Sequence, residues 1–262
     1  MKFILKLKFV GTNFSGYQVQ PGKRTVQSTL QDAIEKLFGT RYDVKGCSRT
    51  DSGVHANVFY VTFDLPDGTS SITVDKMPHA FNSVLPDDIT VTDAAIVDDS
   101  FHVRHNVIFK EYIYVINNSV FRDPFTQGRA YHYPKHLNYD DIEKMNKAAQ
   151  LILGKHDFAC FMSSGSGIED TVRNVKYLNV TKDDDVTTIR IAADGFLYNM
   201  VRIIAGTLLD VGRGKTSPDD IKEMLESLDR SKSGPTLPAC GLYLNHVEFD
   251  RKIFLRRKND NT

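Results

Sequence analysis

The sequence predicts an α+β protein made of two similar domains, each of mainly antiparallel sheet with packed helices. Three observations predict this class. Short segments alternate apolar and polar residues, which is the period of a half-buried strand. Other segments carry apolar residues at helical spacing, and the two kinds of element mix without the strict alternation typical of a parallel sheet. The second half also repeats the order of elements in the first, so we expect domains over 1–104 and 105–250, followed by a basic tail over 251–262.

In the first half, a strand is predicted over residues 3–9, followed by a glycine-rich aromatic loop over 11–22. Thr25 is a helix N-cap residue type and Gly39 a C-terminal stop, so the apolar positions between them predict a helix. The remaining elements expected here are a strand that leads into Gly46, a strand over 57–65, a helix near 75–84, and strands over 89–96 and 104–116.

In the second half, Asn138 is expected to cap a helix that runs to Leu153 and stops at Gly154. Strands over 173–181 and 186–193 flank an acidic triplet, which we interpret as a hairpin turn. Residues 197–211 are apolar nearly throughout, which predicts a buried helix. The Ser-Pro-Asp-Asp sequence at 217–220 is typical of a helix start. A closing strand is predicted over 241–249.

Composition excludes several classes of protein. The chain has 33 basic and 33 acidic residues, so a wholly basic nucleic-acid coat protein is excluded, although a local basic cleft is not. Three distant cysteines without a CxxC pair exclude a zinc knuckle and a disulfide framework, and favour a reducing cytoplasmic setting. Lys6 and Lys8 interrupt the first apolar run, which argues against a signal peptide, and no stretch reaches the roughly 20 apolar residues of a membrane span.

The densest polar cluster is residues 46–56, Gly-Cys-Ser-Arg-Thr-Asp-Ser-Gly-Val-His-Ala. Arg49, Asp51 and His55 within it fit either a functional loop on a sheet or an ordinary turn in which the aspartate caps backbone amides. His102 and His105 resemble a metal pair, but residues three apart in a strand face opposite sides, so no metal site is predicted there.

Two further segments carry charged residues in unusual places. Residues 211–216 end like a phosphate-binding loop, but the first glycine of that motif is missing and the segment follows a helix rather than preceding one. We therefore reject that interpretation. Arg202 lies within an otherwise apolar helix, and because a buried arginine is rare without an acid, its position predicts a carboxylate partner.

Residues 46–56 closely resemble the Gly-x-x-Arg-Thr-Asp-x-Gly-Val-His-Ala signature of the TruA family of tRNA pseudouridine synthases. Departures at Cys47, Ser48 and Ser52 fall outside the matched catalytic positions. Further ordered resemblances to the family extend over nearly the whole chain, at residues 11–18, 25–27, 81–89, 101–104, 110–114, 154–158, 195–202, 206–207, 211–214 and 241–244.

This resemblance implies a pseudouridine synthase-like fold with an active-site cleft between two domains. It implies an isomerase that converts uridine to pseudouridine at positions 38, 39 and 40 of the tRNA anticodon stem-loop, with no cofactor and no metal. Asp51 would be the nucleophile and Arg202 its ion-pair partner. Tyr112 would stack on the flipped base, and Arg49 would hold the flipped nucleotide or fill the place it leaves. The family also implies a homodimer.

A neutral protein that binds a polyanion must gather its basic residues on one surface. The candidate RNA contacts are Lys23, Arg24, Arg104, Lys110, Arg213 and Lys215, with the basic tail as a weaker candidate. Two alternatives remain open at this point: a protein of the same fold that binds structured RNA without catalysis, and a hydrolase that uses Asp51 and His55. The hydrolase has less support because no second carboxylate is placed to activate water.

Overall fold

The structure is a computed structural model, and it describes residues 1–66, 72–165 and 167–254. The chain divides into two compact units: Met1–Ile108 with the segment from His246 onward, and Phe109–Asn245. We call these unit 1 and unit 2. Each combines antiparallel strands with helices, so the predicted α+β class is confirmed. The domain limits of 1–104, 105–250 and a tail from 251 stay a prediction.

The strands of unit 1 are antiparallel, in the order β4-β1-β3, with β2 paired to β3. Leu5 lies opposite Val61 on one side and opposite Ala94 on the other, so β1 is the central strand of these three. Its elements are β1 (Lys2–Phe9), α1 (Val26–Phe38), β2 (Lys45–Gly46), β3 (His55–Asp64), α2 (Met77–Asn82) and β4 (Ile89–Val97).

Helix α1 begins and ends where the sequence predicts. The Thr25 hydroxyl accepts a hydrogen bond from the backbone N–H of Ser28, and the Ser28 side chain returns a bond to the backbone of Thr25, which makes a capping box. Gly39 closes the helix in the left-handed conformation, at φ 76°. These two local signals fix the helix between the glycine-rich loop and β2.

The strands of unit 2 are also mainly antiparallel, in the order β5-β9-β8-β7, with β6 added in parallel to β5. The acidic triplet lies at the tight turn between β8 and β9, where Asp184 has φ 45°, so the hairpin prediction is confirmed. The elements are β5 (Val107–Asn117), β6 (Tyr131–His132), α3 (Tyr139–Ile152), β7 (Gly154–Asp157), β8 (Val172–Asp183), β9 (Val186–Ala193), α4 (Met200–Gly212), α5 (Asp220–Ser227) and β10 (Leu242–Phe249), which continues into unit 1.

Helix α4 is the buried helix that its apolar sequence predicts. Every residue of Met200–Gly212 is buried except Arg202, which is partly exposed. The prediction placed its start at residue 197, three residues early, because Leu197 is buried in the turn that precedes the helix. Helix α3 is capped by Asn138 as predicted, but Gly154 opens β7 rather than ending the helix, which stops at Ile152.

The segment before β5 differs from the prediction. The strand expected from residue 104 starts at Val107, and residues 103–106 form a turn. The side chains of His102 and His105 are therefore not on opposite faces, and their ring centroids lie 4.1 Å apart. Nδ1 of His102 accepts hydrogen bonds from the backbone N–H groups of Arg104 and His105, both at 3.2 Å. His102 thus stabilises the turn.

Within the described ranges, no helix has both the length and the apolar character needed to cross a bilayer. Of the predicted basic tail, Arg251 pairs with Asp250 at 2.9 Å and lies 3.9 Å from Asp98. Arg256, Arg257 and Lys258 lie outside the described residues.

Candidate active site

Asp51 lies in a loop between β2 and β3, residues 47–54, which we call the Asp51 loop. The opening loop of the chain holds it by backbone hydrogen bonds: Tyr17 N–H donates to the Thr50 carbonyl at 3.0 Å, and Gly53 N–H donates to the Phe14 carbonyl at 3.3 Å. The Asp51 carbonyl accepts from Val54 N–H at 3.2 Å, which closes a turn that begins at Asp51. Asp51 itself is half-buried.

Two glycines let the opening loop approach this closely. Gly16 has φ 82°, and a Cβ placed on it would lie 2.6 Å from the Thr50 carbonyl oxygen. A Cβ on Gly11 would lie 1.9 Å from the Val54 carbonyl oxygen. Since real side chains do not approach backbone oxygens at such distances, only glycine fits at either position. The position of Asp51 is thus set by contact between two backbones.

His55, the other titratable residue of the cluster, has a structural role. Its side chain is 1% exposed, and its Nδ1 accepts a hydrogen bond from Gly11 N–H at 3.0 Å. That bond occupies the Nδ1 lone pair of the imidazole and places the ring proton on Nε2. The histidine therefore joins the opening loop to the start of β3, which leaves the hydrolase hypothesis without a base beside Asp51. Arg49, two residues before Asp51, is exposed.

Tyr112 lies on β5 in unit 2 and is buried, with its ring packed edge to face against Phe196. The ring centroids are 5.0 Å apart at an interplanar angle of 84°. This is the favourable T-shaped arrangement of an aromatic pair. Phe196 belongs to the connection from β9 to α4, so the same short connection supplies a wall beside Tyr112 and leads directly into the helix that carries Arg202.

The neighbouring residue on β5 faces the other side of the strand, because side chains alternate along a strand. There the Glu111 carboxylate accepts hydrogen bonds from Tyr177 at 2.6 Å, from Asn245 at 2.6 Å and from Arg190 at 2.8 Å. Burial by itself raises the pKa of Glu111, but these three donors stabilise its charged form and bring the pKa below its ordinary value. Glu111 thus joins β5, β8, β9 and β10 behind Tyr112.

Arg202 lies in the first turn of α4, where two groups hold its guanidinium. Nη1 donates to Oδ1 of Asn199 at 2.6 Å, and Nε donates to the Leu237 carbonyl at 2.7 Å. We call Asn199 and the Leu237 carbonyl the Arg202 clamp. The Leu237 N–H in turn donates to the Arg202 carbonyl at 3.3 Å. The predicted ion pair with Asp51 would join two different units and stays a prediction.

Among the candidate RNA contacts, three have carboxylate partners within their own unit. Arg24 forms a bidentate pair with Asp88, with both bonds at 2.7 Å, and its guanidinium lies 4.2 Å from the centre of the Phe14 ring. Lys215 and Arg213 both approach the buried Asp210, at 2.9 Å and 3.7 Å. Lys23 and Arg104 are exposed and Lys110 is half-buried. The RNA-binding role of all six stays a prediction.

Comparison with known proteins identifies the family. A family model described as "tRNA pseudouridine synthase" matches residues 7–106 and 148–250, which is more than half of the chain. The chain belongs to the tRNA pseudouridine synthase family. It is 45% identical to the tRNA pseudouridine synthase A of Bacillus subtilis over 95% of this chain and 100% of that protein. It is also 45% identical to the Thermoanaerobacter sp. protein of the same name, over 92% of this chain and 96% of that protein.

A likeness to a solved structure is much weaker. The alignment with a chain in the structure of a Cbf5-Nop10-Gar1 complex covers 92% of this chain and 57% of that one, at 11% identity and a TM-score of 0.38. The family match suffices to confirm the resemblance seen in the sequence. As a tRNA pseudouridine synthase, the protein is an isomerase, and the hypothesis of a non-catalytic RNA-binding protein is not favoured.

The structure adds three residues that the sequence did not single out: Asn199, Glu111 and Phe196. All three lie within segments that resemble the family: Glu111 is next to Tyr112, Asn199 is three residues before Arg202, and Phe196 is six residues before Arg202. Spacing could have suggested Asn199, since it is three residues before Arg202 at the start of a helix. The partners of Glu111 could not have been found, because they lie 66, 79 and 134 residues away along the chain.

Proposed function

We propose that this synthase acts on the uridines at positions 38, 39 and 40 of the tRNA anticodon stem-loop, with Asp51 as the nucleophile. The observation that carries the proposal is the match to tRNA pseudouridine synthase A over the full length of that relative. Within the matched chain, the Asp51 loop has the family signature. The backbone contacts that fix this loop support the proposal, because a nucleophile needs a defined position before the substrate arrives.

The reaction exchanges one glycosidic bond for another. The N1–C1′ bond of uridine breaks, the uracil turns while bound, C5 bonds to C1′, and the proton on C5 is lost while N1 gains one. Nothing is oxidised or reduced, so the balance requires neither a redox cofactor nor a second substrate. A carboxylate such as Asp51 can attack C1′, attack the base or remove a proton, and each role requires it to be charged. We propose that Arg202 keeps it charged through an ion pair.

The target base must leave the helical stack before C1′ can be reached, and flipping costs a few kcal/mol. We propose that Tyr112 stacks on the flipped uracil, with Phe196 buttressing its ring edge to face. The exposed Arg49 would hold the flipped nucleotide or fill the space that it vacates in the stem. The Glu111 network supports this assignment because it fixes the strand behind Tyr112.

We also propose that the protein works as a cytoplasmic homodimer in which one tRNA contacts both subunits. The reducing environment favoured by its cysteine content and the family resemblance support this. Equilibrium sedimentation of the purified protein at micromolar concentration should show a dimer, and a monomer alone at that concentration would overturn the homodimer proposal.

The experiment that tests the reaction uses purified protein and unmodified tRNA transcripts without added cofactor. Pseudouridine should form at positions 38, 39 and 40 in transcripts with a uridine there, and should not form when that uridine is replaced by cytidine. Asp51→Asn should abolish the reaction while tRNA binding, measured by filter retention, is kept. An active Asp51→Asn variant would overturn the assignment of the nucleophile, and pseudouridine only at other positions would overturn the assignment of the target.

A further inference from the structure

Asn199 has an unusual backbone for a residue at the start of a helix. It occupies the N-cap position of α4 with φ 61° and ψ 7°, in the left-handed region, whereas an N-cap residue normally has an extended backbone. Asparagine is one of the few residues other than glycine that adopt this region readily. Its side chain makes no capping hydrogen bond to the helix backbone, so the usual reason for asparagine at an N-cap does not apply.

The side chain of Asn199 is used on two other groups. Its Oδ1 accepts from Nη1 of Arg202 at 2.6 Å, and its Nδ2 donates to the hydroxyl of Ser163 at 2.9 Å. The backbone repeats the second connection, because Ser163 N–H donates to the Tyr198 carbonyl at 3.1 Å. The bond to Ser163 decides which end of the amide faces the guanidinium, since only the oxygen end can accept from an arginine.

The second half of the Arg202 clamp is equally well fixed. A Cβ on Gly206 would lie 1.9 Å from the Pro235 carbonyl oxygen, and a Cβ on Gly234 would lie 2.5 Å from Thr207 N. The backbone of α4 and that of residues 234–237 are therefore in direct contact. This contact supports the Leu237 carbonyl opposite Nε of Arg202, so both groups that bond to the guanidinium are themselves held by other parts of unit 2.

We propose that Asn199 is a positioning residue for the reaction: it sets the plane and direction of the Arg202 guanidinium before tRNA binds. This inference rests on the proposed function, in which Arg202 holds the charge of Asp51. A guanidinium presents its five donors in a rigid plane, so two bonds fix where the remaining donors point. Asn199 touches neither substrate nor reacting atoms, and its effect on the rate passes through Arg202.

The test compares Asn199→Gly with Asn199→Ala. Glycine keeps the left-handed backbone and removes only the amide, whereas alanine removes the amide and strains the backbone at φ 61°. We expect kcat on full-length tRNA, measured under single-turnover conditions, to fall by about 10- to 100-fold in both variants, because displacement of a catalytic group by about 1 Å costs up to about 10²-fold. KM should change by less than about twofold, and only Asn199→Ala should have a clearly lower melting temperature.

A double variant shows whether Asn199 acts through Arg202. In an Arg202→Lys background, which keeps the positive charge but lacks the planar guanidinium, Asn199→Gly should change the residual kcat by less than about twofold, because effects that pass through one group are not additive. Equal losses in both backgrounds, or a wild-type kcat for Asn199→Gly, would overturn the inference while leaving the proposed function intact. Full activity of Arg202→Lys would also overturn the inference, because it would show that a positive charge suffices without an oriented guanidinium plane, and it would leave the proposed ion pair with Asp51 intact.

Asn138 offers a matched control at another helix start. It caps α3 in the ordinary way, with its side chain accepting from Asp141 N–H at 2.9 Å. Asn138→Gly makes the same chemical change as Asn199→Gly and should lower the melting temperature while leaving kcat unchanged. A comparable loss of kcat in Asn138→Gly would show that weakening a helix start is enough to slow the reaction, and would overturn the inference.

Discussion

The Asp51 loop and the Arg202 clamp are fixed by different means. The loop in unit 1 is held by backbone hydrogen bonds and by two glycines that let backbones touch. The guanidinium of Arg202 in unit 2 is itself a structural donor to Asn199 and Leu237. Main-chain contacts thus fix the Asp51 loop, whereas side-chain hydrogen bonds made by Arg202 itself fix the clamp. Substitutions should therefore separate activity from stability at Asp51 and couple them at Arg202.

The largest effect tests this contrast directly. Asp51→Asn and Arg202→Leu should each reduce pseudouridine formation severely, by roughly 10⁴-fold for Asp51, the proposed nucleophile, as removal of such groups does in other enzymes. Their free energies of unfolding should differ. Arg202→Leu leaves the Leu237 carbonyl and the Asn199 amide without their donor, which costs about 1–3 kcal/mol, whereas Asp51→Asn should cost little. Single-turnover kinetics and urea unfolding of both variants measure the two quantities.

The double variant Asp51→Asn with Arg202→Leu sharpens the comparison. If the predicted ion pair forms, the two changes in unfolding free energy should not add. Arg202→Leu alone leaves the Asp51 carboxylate without its partner, whereas the double variant removes that carboxylate as well. Simple additivity would contradict the ion pair. Equal stability losses in the two single variants would contradict the contrast between loop and clamp.

Glycine substitutions probe how the loop is fixed. Gly16 and Gly22 both have left-handed backbones, at φ 82° and 68°, but only Gly16 faces a backbone oxygen at 2.6 Å, while Gly22 has open space around its Cβ position. Gly22→Ala should cost about 1–2 kcal/mol from backbone strain alone and retain activity. Gly16→Ala should cost roughly 1–3 kcal/mol more and slow the reaction, since the Asp51 loop must move. Similar rates for both variants would show that the contact does not position Asp51.

In unit 2, the stabilisation of the folded state by the Glu111 hydrogen bonds can be measured through its dependence on pH. The pKa of Glu111 is lowered in the folded protein, so the charged carboxylate stabilises the folded state above the unfolded-state pKa. This stabilisation is lost as pH falls through the folded-state pKa. Glu111→Gln should therefore destabilise the protein by about 1–3 kcal/mol at neutral pH, and the difference from wild type should shrink below the ordinary glutamate value of 4.5. Glu143→Gln, at an exposed position on α3, is the control and should show no such trend. A constant difference at all pH values would contradict the charged network.

The smallest expected effect is a difference in the salt dependence of tRNA binding between variants of two adjacent basic residues. Lys23 is exposed, whereas Arg24 is engaged with Asp88 and Phe14. Lys23→Ala should flatten the slope of log affinity for tRNA against log salt by about one unit and leave the melting temperature unchanged. Arg24→Ala should lower the melting temperature and change the slope less. The reverse pattern in salt-dependent binding would mean that Arg24 leaves its carboxylate to contact phosphate.

Local signals in the sequence predicted local structure well. Thr25 and Gly39 delimit α1, Asn138 caps α3, and the acidic triplet forms the turn between β8 and β9. The error before β5 arose because the predicted strand starts at residue 104, within a turn that the His102 side chain stabilises by accepting from the backbone N–H groups of Arg104 and His105. Such competition between side chain and backbone leaves no trace in the hydrophobic period.

The residues of the candidate site could be predicted from the sequence, but the groups that hold them in place could not. The family signature indicated Asp51, and the apolar surroundings of Arg202 showed that this residue needed partners. The partners within unit 2 are a neighbouring amide and a main-chain carbonyl, and a carbonyl is present at every residue, so its use at Leu237 has no sequence signal. Likewise, Asp88 is 64 residues from Arg24, and nothing in the sequence pairs them.

The reciprocal bonds between Arg202 and the 234–237 segment make the clamp observable without catalysis. The amide protons of Leu237 and Gly234 donate to the Arg202 carbonyl and to the Thr207 hydroxyl, at 3.3 Å and 2.9 Å. Their hydrogen-exchange rates therefore report how often this segment detaches from α4. In a catalytically silent variant, these two protons would still report how often the segment that carries the Leu237 carbonyl detaches from α4, so they give the free energy of that opening separately from the turnover of tRNA.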